Sequence, residues 1–304
     1  MKVLGLSCGR KMGNCEILLR EALTEAEELG AQTEIIRLGD LTIKPCTGDE
    51  ACVMNRMKGG EGLCVQKNDH MPFLLDKLAE CDGVILGVPA FMLMPPGLLI
   101  MTVNRVLGAG KKYREKVAQN PKVGAVITLG GTDWVNLVLP LTAFSLRQLC
   151  RNNVKLVDQM LVTYIPRPGQ VLLHDEAIAR ARKLGHRMAE ALKMPYDKVK
   201  FYNEEPETCP LCHTNLLKIR GKYVECPICD IKGSIETNRN KIRVIFDDKE
   251  LQKSRFGAWG IKKHDDAVAE GHRLYYEMKS EIDEKLKKYR AQKRVTVPPR
   301  LKAK

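Results

Sequence analysis

Four cysteines carry the plainest chemistry in this chain. Cys209-Pro-Leu-Cys212 and Cys226-Pro-Ile-Cys229 form two C-P-x-C pairs with thirteen residues between them. A pair at this spacing turns tightly enough to aim two thiolates at one ion, and two pairs close a tetrahedral four-thiolate site. The pattern predicts a zinc ribbon with Cys209, Cys212, Cys226 and Cys229 as ligands. All four positions are filled by protein, so the zinc expected here is structural and leaves no position open for catalysis. A module this small holds no core alone, and the metal supplies its folding energy.

A second chemical signal lies at the other end. Ser7-Cys8-Gly9-Arg10-Lys11-Met12-Gly13-Asn14-Cys15 follows an apolar run at 3–6 and precedes an amphipathic stretch at 16–29. Strand, loop and helix in that order present unpaired N–H groups and a positive dipole end to an anion. Ser7, Asn14 and Cys15 add side-chain donors, Arg10 and Lys11 add charge, and Gly9 and Gly13 let the backbone close in. The loop predicts phosphate binding. It lacks G-x-x-x-x-G-K-[ST] and G-x-G-x-x-G, which excludes the nucleoside-triphosphate loop and the usual dinucleotide fingerprint. Glu34 falls inside the second expected strand, 33–38, where a ribose-binding acid would not sit.

The elements that must position this loop repeat the pattern. Strands are expected at 83–88 and 123–129, with helices running to Arg105 and Cys150. Between them lie Pro89-Ala90-Phe91-Met92 and Gly130-Gly131-Thr132-Asp133-Trp134. In a parallel α/β sheet such loops share the carboxyl edge, where ligands bind. Pro89, Ala90, Phe91 and Met92 offer apolar walls, Gly130 and Gly131 admit a flat ring, and Trp134 offers a lid. A phosphate site at one end and a planar aromatic site at the other predict flavin mononucleotide (FMN). No side chain is assigned as catalytic; Asp133 is the nearest candidate, with a hydrogen-bonding role. The greasy stretch 93–103 is expected to be a buried helix under the flavin.

These motifs resemble the flavodoxin-like NAD(P)H-dependent FMN reductases, including the iron–sulfur flavoproteins. The family loop G-S-P-R-K-x-G-N-T is matched by Arg10, Lys11, Gly13 and Asn14. It departs at the Ser-Pro pair and at Cys15. The family's P-x-Y/F is matched by Pro89-Ala90-Phe91, and its following D-R by Asn104-Arg105. The resemblance covers about 1–195. It implies a doubly wound parallel sheet, FMN, and reduced nicotinamide as co-substrate. It also implies a compact four-cysteine cluster motif after the second strand. Here Cys46 and Cys52 keep the first and third positions, Asp49 stands at the second, and an insertion at 57–63 displaces Cys64. Carboxylate ligates iron poorly compared with thiolate, so a pocket-lining loop with free thiols is the favoured expectation over an iron–sulfur cluster. Cys81 and Cys150 read as core thiols.

The 304 residues divide into three expected units: an FMN domain at 1–200, the ribbon at 201–248, and a C-terminal helix and basic tail at 249–304. Eleven cysteines point to reduced thiols and a cytoplasmic setting. No leader is expected before the first strand. No apolar run reaches the ~18 residues of a membrane span.

The chain carries 50 Lys and Arg against 37 Asp and Glu. Residues 201–304 hold 23 of those bases and 16 of the acids, and 285–304 hold nine bases and no acid. One helix at 264–293 and a frayed tail at 295–304 are expected. Sparse aromatic interleaving argues against nucleic acid, and packing on the flavin domain or on a second subunit of a homodimer or homotetramer is preferred. The predicted activity is an FMN-dependent oxidoreductase serving NAD(P)H and an unknown acceptor. The alternatives are an electron carrier through Cys46, Cys52 and Cys64, or a flavin-sensing or nucleic-acid-binding module.

Overall fold

The structure, a computed structural model, describes residues 1–292 apart from Glu204 and Asn240. The expected tail and the last residue of the expected helix lie outside them. Five parallel strands form the main sheet: β1 (Lys2–Ser7), β2 (Gln32–Arg37), β3 (Gly83–Pro89), β4 (Lys122–Leu129) and β5 (Val154–Val162), in the order β2-β1-β3-β4-β5. β3 and β4 are buried at every position. That is why Val84-Ile-Leu-Gly-Val88 reads as an unbroken apolar run: a parallel strand has helices on both faces. Period-two alternation sends Leu4, Leu6, Val84, Leu86 and Val126 to one face and Val3, Ile85, Val123 and Ile127 to the other.

The second of those faces is covered by α1 (Asn14–Glu28) and α7 (Asp175–Lys193). They approach closely at Gly185, where a Cβ would stand 1.9 Å from the Ala22 carbonyl oxygen. The opposite face carries α3 (Met71–Glu80), α4 (Gly97–Arg105), α5 (Gly110–Gln119) and α6 (Val138–Leu149). A short helix, α2 (Ala51–Met57), sits in the connection between β2 and α3. α4 buries Leu99, Thr102 and Arg105 but leaves Ile100 exposed, so the stretch expected to be wholly buried is an amphipathic helix. Each fully buried leucine, such as Leu18 or Leu86, contributes about 1.5–3 kcal/mol relative to exposure.

A second, antiparallel sheet has the order β6-β7-β8-β9: β6 (Lys218–Arg220), β7 (Tyr223–Glu225), β8 (Lys232–Asn238) and β9 (Lys241–Ile245). β8 and β9 form a hairpin, turning at Arg239 with φ 54°. Its core is the four ribbon cysteines with Val224, Ile231 and Phe246. α8 (Asp248–Gln252), α9 (Ala258–Glu277) and α10 (Lys279–Arg290) follow. The single helix expected over 264–293 therefore starts earlier and is interrupted at Met278. Along these helices Leu274, Tyr275, Met278 and Leu286 are exposed.

Candidate functional site

The carboxyl edge of the main sheet is a cradle because its strand ladders continue into the loops. Cys8 N–H donates to the Gly87 carbonyl (2.8 Å), Ala90 N–H to Leu129 (2.7 Å) and Gly130 N–H to Val162 (2.8 Å). These bonds hold three loops at fixed spacing around a cavity of about 240 Å³. Gly9, Arg10, Gly13, Asn14, Cys15, Pro89, Ala90, Phe91, Gly130 and Gly131 all line it. Ser7, Cys8, Lys11, Met92, Thr132, Asp133 and Trp134 do not. Ser7 is fully buried beneath the loop, while Met92 and Trp134 stand out at 79 % and 61 % exposure on the rim.

The phosphate loop is built for an anion. Gly13 caps α1 without a side-chain hydrogen bond, leaving the first-turn N–H groups uncapped. Arg10 and Lys11 form no ion pair among the described residues. The loop is braced from outside by Glu16. Its buried carboxylate accepts from Met12 N–H (3.0 Å), Arg20 Nε (3.0 Å) and Arg37 Nε (2.6 Å). The Arg37 hydrogen bond is the main force holding its acidity at about 2. Gly9 is required by space, since a Cβ there would lie 2.7 Å from the Cys15 Cβ.

Two side chains expected to donate to phosphate do other work. Asn14 Nδ2 donates to the carbonyls of Ile165 and Arg167, both at 2.8 Å, and its Oδ1 accepts from Val171 N–H at 3.2 Å. A short side chain leaving the first turn of α1 meets the backbone after β5 before it reaches the cradle. Cys15 is buried, with Sγ 4.0 Å from Ser7 Oγ, and burial pushes its thiol up to about 12. It offers a neutral core thiol in place of a hydroxyl-like donor. The Cys8 thiol is likewise raised by burial.

Asn14 introduces a fourth wall that the sequence reading missed. Ile165, Pro166 and Pro168 line the cavity, and Pro166 faces Gly131 so closely that a Cβ there would stand 3.2 Å from the Pro166 Cβ. The signal was present: β5 is followed, after three residues, by Pro166-Arg167-Pro168-Gly169, the same strand-then-loop pattern as the other three.

The expected D-R match is structural. Arg105 is buried and paired with Asp69 at 2.5 Å, and it also donates to the Lys44 carbonyl at 2.7 Å, pinning the connection after β2. Within that connection Cys46 is exposed and Cys52 and Cys64 are half-buried. Burial raises the Cys52 thiol, and nearby Cys64 adds to the effect. Asp49, at the second motif position, spends its carboxylate on the Thr47 hydroxyl and on Ala51 N–H (2.9 Å) at the start of α2.

Cys209, Cys212, Cys226 and Cys229 do converge, with sulfur atoms within 4.8 Å of one another and every residue buried. Among the described residues no other group of three or more His, Cys, Asp or Glu does so. Both knuckles use one turn: His213 N–H donates to the Cys209 carbonyl and Asp230 N–H to that of Cys226, each at 2.8 Å. His213 and Asp230 adopt φ 58° and 63°. Four buried thiols at this spacing fit a tetrahedral ion.

Residues 1–151 match the family profile described as NADPH-dependent FMN reductase. The chain is 30% identical over 210 residues to an iron–sulfur flavoprotein of Methanocaldococcus jannaschii, covering 64% of this chain and 98% of that one. It is 28% identical over 286 residues to a flavone synthase of Aspergillus candidus, with 87% of each chain covered. In fold it is similar to a solved flavone reductase, with TM-score 0.76 and 24% identity over 98% of this chain and 100% of that one. No helix among the described residues is long and apolar enough to cross a membrane. The cradle, the parallel sheet and these matches place the chain in the flavodoxin-like family of NADPH-dependent FMN reductases and iron–sulfur flavoproteins, flavin-dependent oxidoreductases.

Proposed function

We propose that the chain holds FMN in the carboxyl-edge cavity, oxidises NAD(P)H and reduces a planar, apolar acceptor. The observation that carries this reading is the cradle itself: uncapped N–H groups and Arg10 at one end, Pro89–Phe91 and Gly130–Gly131 at the other. FMN, when bound, supplies the hydride chemistry between nicotinamide and acceptor. The protein supplies position. Arg10, Lys11 and the first turn of α1 hold the phosphate; Pro89, Ala90, Phe91, Gly130 and Gly131 border the ring. Pro166 closes the cavity from the fourth side, and Asn14 holds that wall in place. Thr132 and Asp133 follow Gly131 on the exposed rim as hydrogen-bonding groups, with no side chain acting as a required acid or base.

An apolar acceptor fits the rim, where Phe91, Met92, Trp134 and Tyr164 are all more than half exposed. The names of the flavone synthase and flavone reductase relatives agree with a polycyclic aromatic acceptor. The ribbon cysteines hold one structural zinc. Residues 1–200, 201–248 and 249–304 form the flavin domain, the ribbon and the C-terminal helices. Exposed Trp259, Ile261 and Tyr276 on α9 suit a homo-oligomer, and unbridged cysteines suit a cytoplasmic setting. Anaerobic titration with NADH or NADPH, followed by a flavone or a quinone, tests the reading. Bleaching and then recovery of the flavin band are expected, and a flavin that neither nicotinamide reduces would overturn it.

A further inference from the structure

A second cavity exceeds the flavin cradle in size. This cleft of about 810 Å³ opens between the edge strand β5, the segment 196–202, the first ribbon knuckle and the segment 251–257. It shares no lining residue with the flavin cavity. Its size falls in the range of small-molecule sites, about 300–1,000 Å³.

Its chemistry is one-sided. Arg147, Lys155 and Lys200 line it, and no Asp or Glu does among the described residues. Lys155 is spent: its Nζ donates to the Tyr196 carbonyl at 2.7 Å and the Asp197 carbonyl at 3.1 Å. Arg147 is half spent. Its Nη1 donates to the Leu211 carbonyl at 3.0 Å and its guanidinium lies over Phe256 at 5.5 Å, but its Nε is buried without a partner. That Nε is out of an occupant's reach, but Arg147 Nη2 makes no hydrogen bond among the described residues, and a guanidinium at the cleft wall with no carboxylate partner favours an acceptor that carries charge. Lys200 is exposed and forms no ion pair among the described residues. The remaining walls are aromatic. Phe201 stacks on His213 with centroids 3.8 Å apart, while Tyr196, Tyr202 and Phe256 complete the surround.

We infer that this cleft is a second ligand site, taking an aromatic ring that carries an oxyanion. The oxyanion accepts from Arg147 and Lys200, and the ring packs among the tyrosine and phenylalanine side chains. Because Arg147 belongs to α6 and Leu211 to the ribbon, an occupant would bridge the two units. The shared chemistry has two sources, a nucleotide or an aromatic carboxylate, and AMP and 4-hydroxycinnamate serve as the probes.

The experiment is isothermal titration of each probe into the FMN-loaded, zinc-loaded full chain. Saturable binding of at least one probe is expected, with retention of FMN. AMP alone would identify the nucleotide source and the cinnamate alone the carboxylate source. Lys200→Glu touches no partner in the fold and reverses the local charge; it should weaken binding about tenfold or more, as for loss of a charge-assisted hydrogen bond. Arg147→Gln should do the same, with zinc content checking that the ribbon stays folded. Absence of saturable binding for both probes, unchanged affinity in Lys200→Glu, or release of FMN by the probe would each overturn the inference.

Discussion

Asn14 and Ile165, 151 positions apart, are joined by a 2.8 Å hydrogen bond from the amide of one to the carbonyl of the other. The first turn of α1 thereby fixes the loop after β5, and the anion loop and the cavity's fourth wall become one unit. Asn14→Ala removes three hydrogen bonds from this junction. Each is worth about 0.5–1.5 kcal/mol net, so FMN affinity should fall by about tenfold or more. Hydrogen exchange should rise at 165–171 and stay unchanged in the ribbon.

In the proposed site Arg10 and Lys11 serve the phosphate. Replacing both by Ala should weaken FMN binding by about 1.5–3 kcal/mol per charge-assisted bond lost. Riboflavin, which lacks the phosphate, should bind the wild type and the variant alike. Equal losses for both flavins would mean that the substitutions damage the whole cradle.

Glu16 makes loop stability depend on acid. Its carboxyl titrates at about 2 in the folded chain against an ordinary 4.5. The depressed value means that the ionised form stabilises the fold, in full above about pH 4.5. That contribution is lost as pH falls from about 4.5 towards 2. Glu16→Gln should flatten this part of the stability profile and lower stability at neutral pH by about 1–3 kcal/mol, the cost of unsatisfied buried donors. Denaturant unfolding at a series of pH values measures both.

Cys209→Ser should release about one zinc per chain and unfold the ribbon, since a structural site couples metal to folding. No ribbon residue lines the flavin cavity, so the flavin spectrum should persist. Loss of flavin together with zinc would show that the ribbon and the sheet fold as one unit.

The sequence carried the sheet and the ribbon further than it carried the site. Strands buried on both faces announce themselves as apolar runs, and β3 and β4 were legible for that reason. The four-cysteine group was legible because ligand spacing is itself geometry. Asn14 was not: its type and position suit a phosphate donor, and only the fold brings the 165–171 loop to it. Cys15 does line the cavity, but only the fold shows that its thiol is buried against Ser7. The single C-terminal helix failed at Met278, where no Gly or Pro marks the interruption. Pro166 is legible only through the strand before it, since a loop leaving the carboxyl end of β5 shares the edge of the other three.

The most direct measurement mixes the purified protein with NADPH or NADH under anaerobic conditions, after mass spectrometry of the released cofactor. The account predicts FMN, held without a covalent bond, whose visible band bleaches on addition of at least one of the two nicotinamides. FAD in the cavity, no flavin after reconstitution, or bound FMN that neither nicotinamide reduces would contradict it.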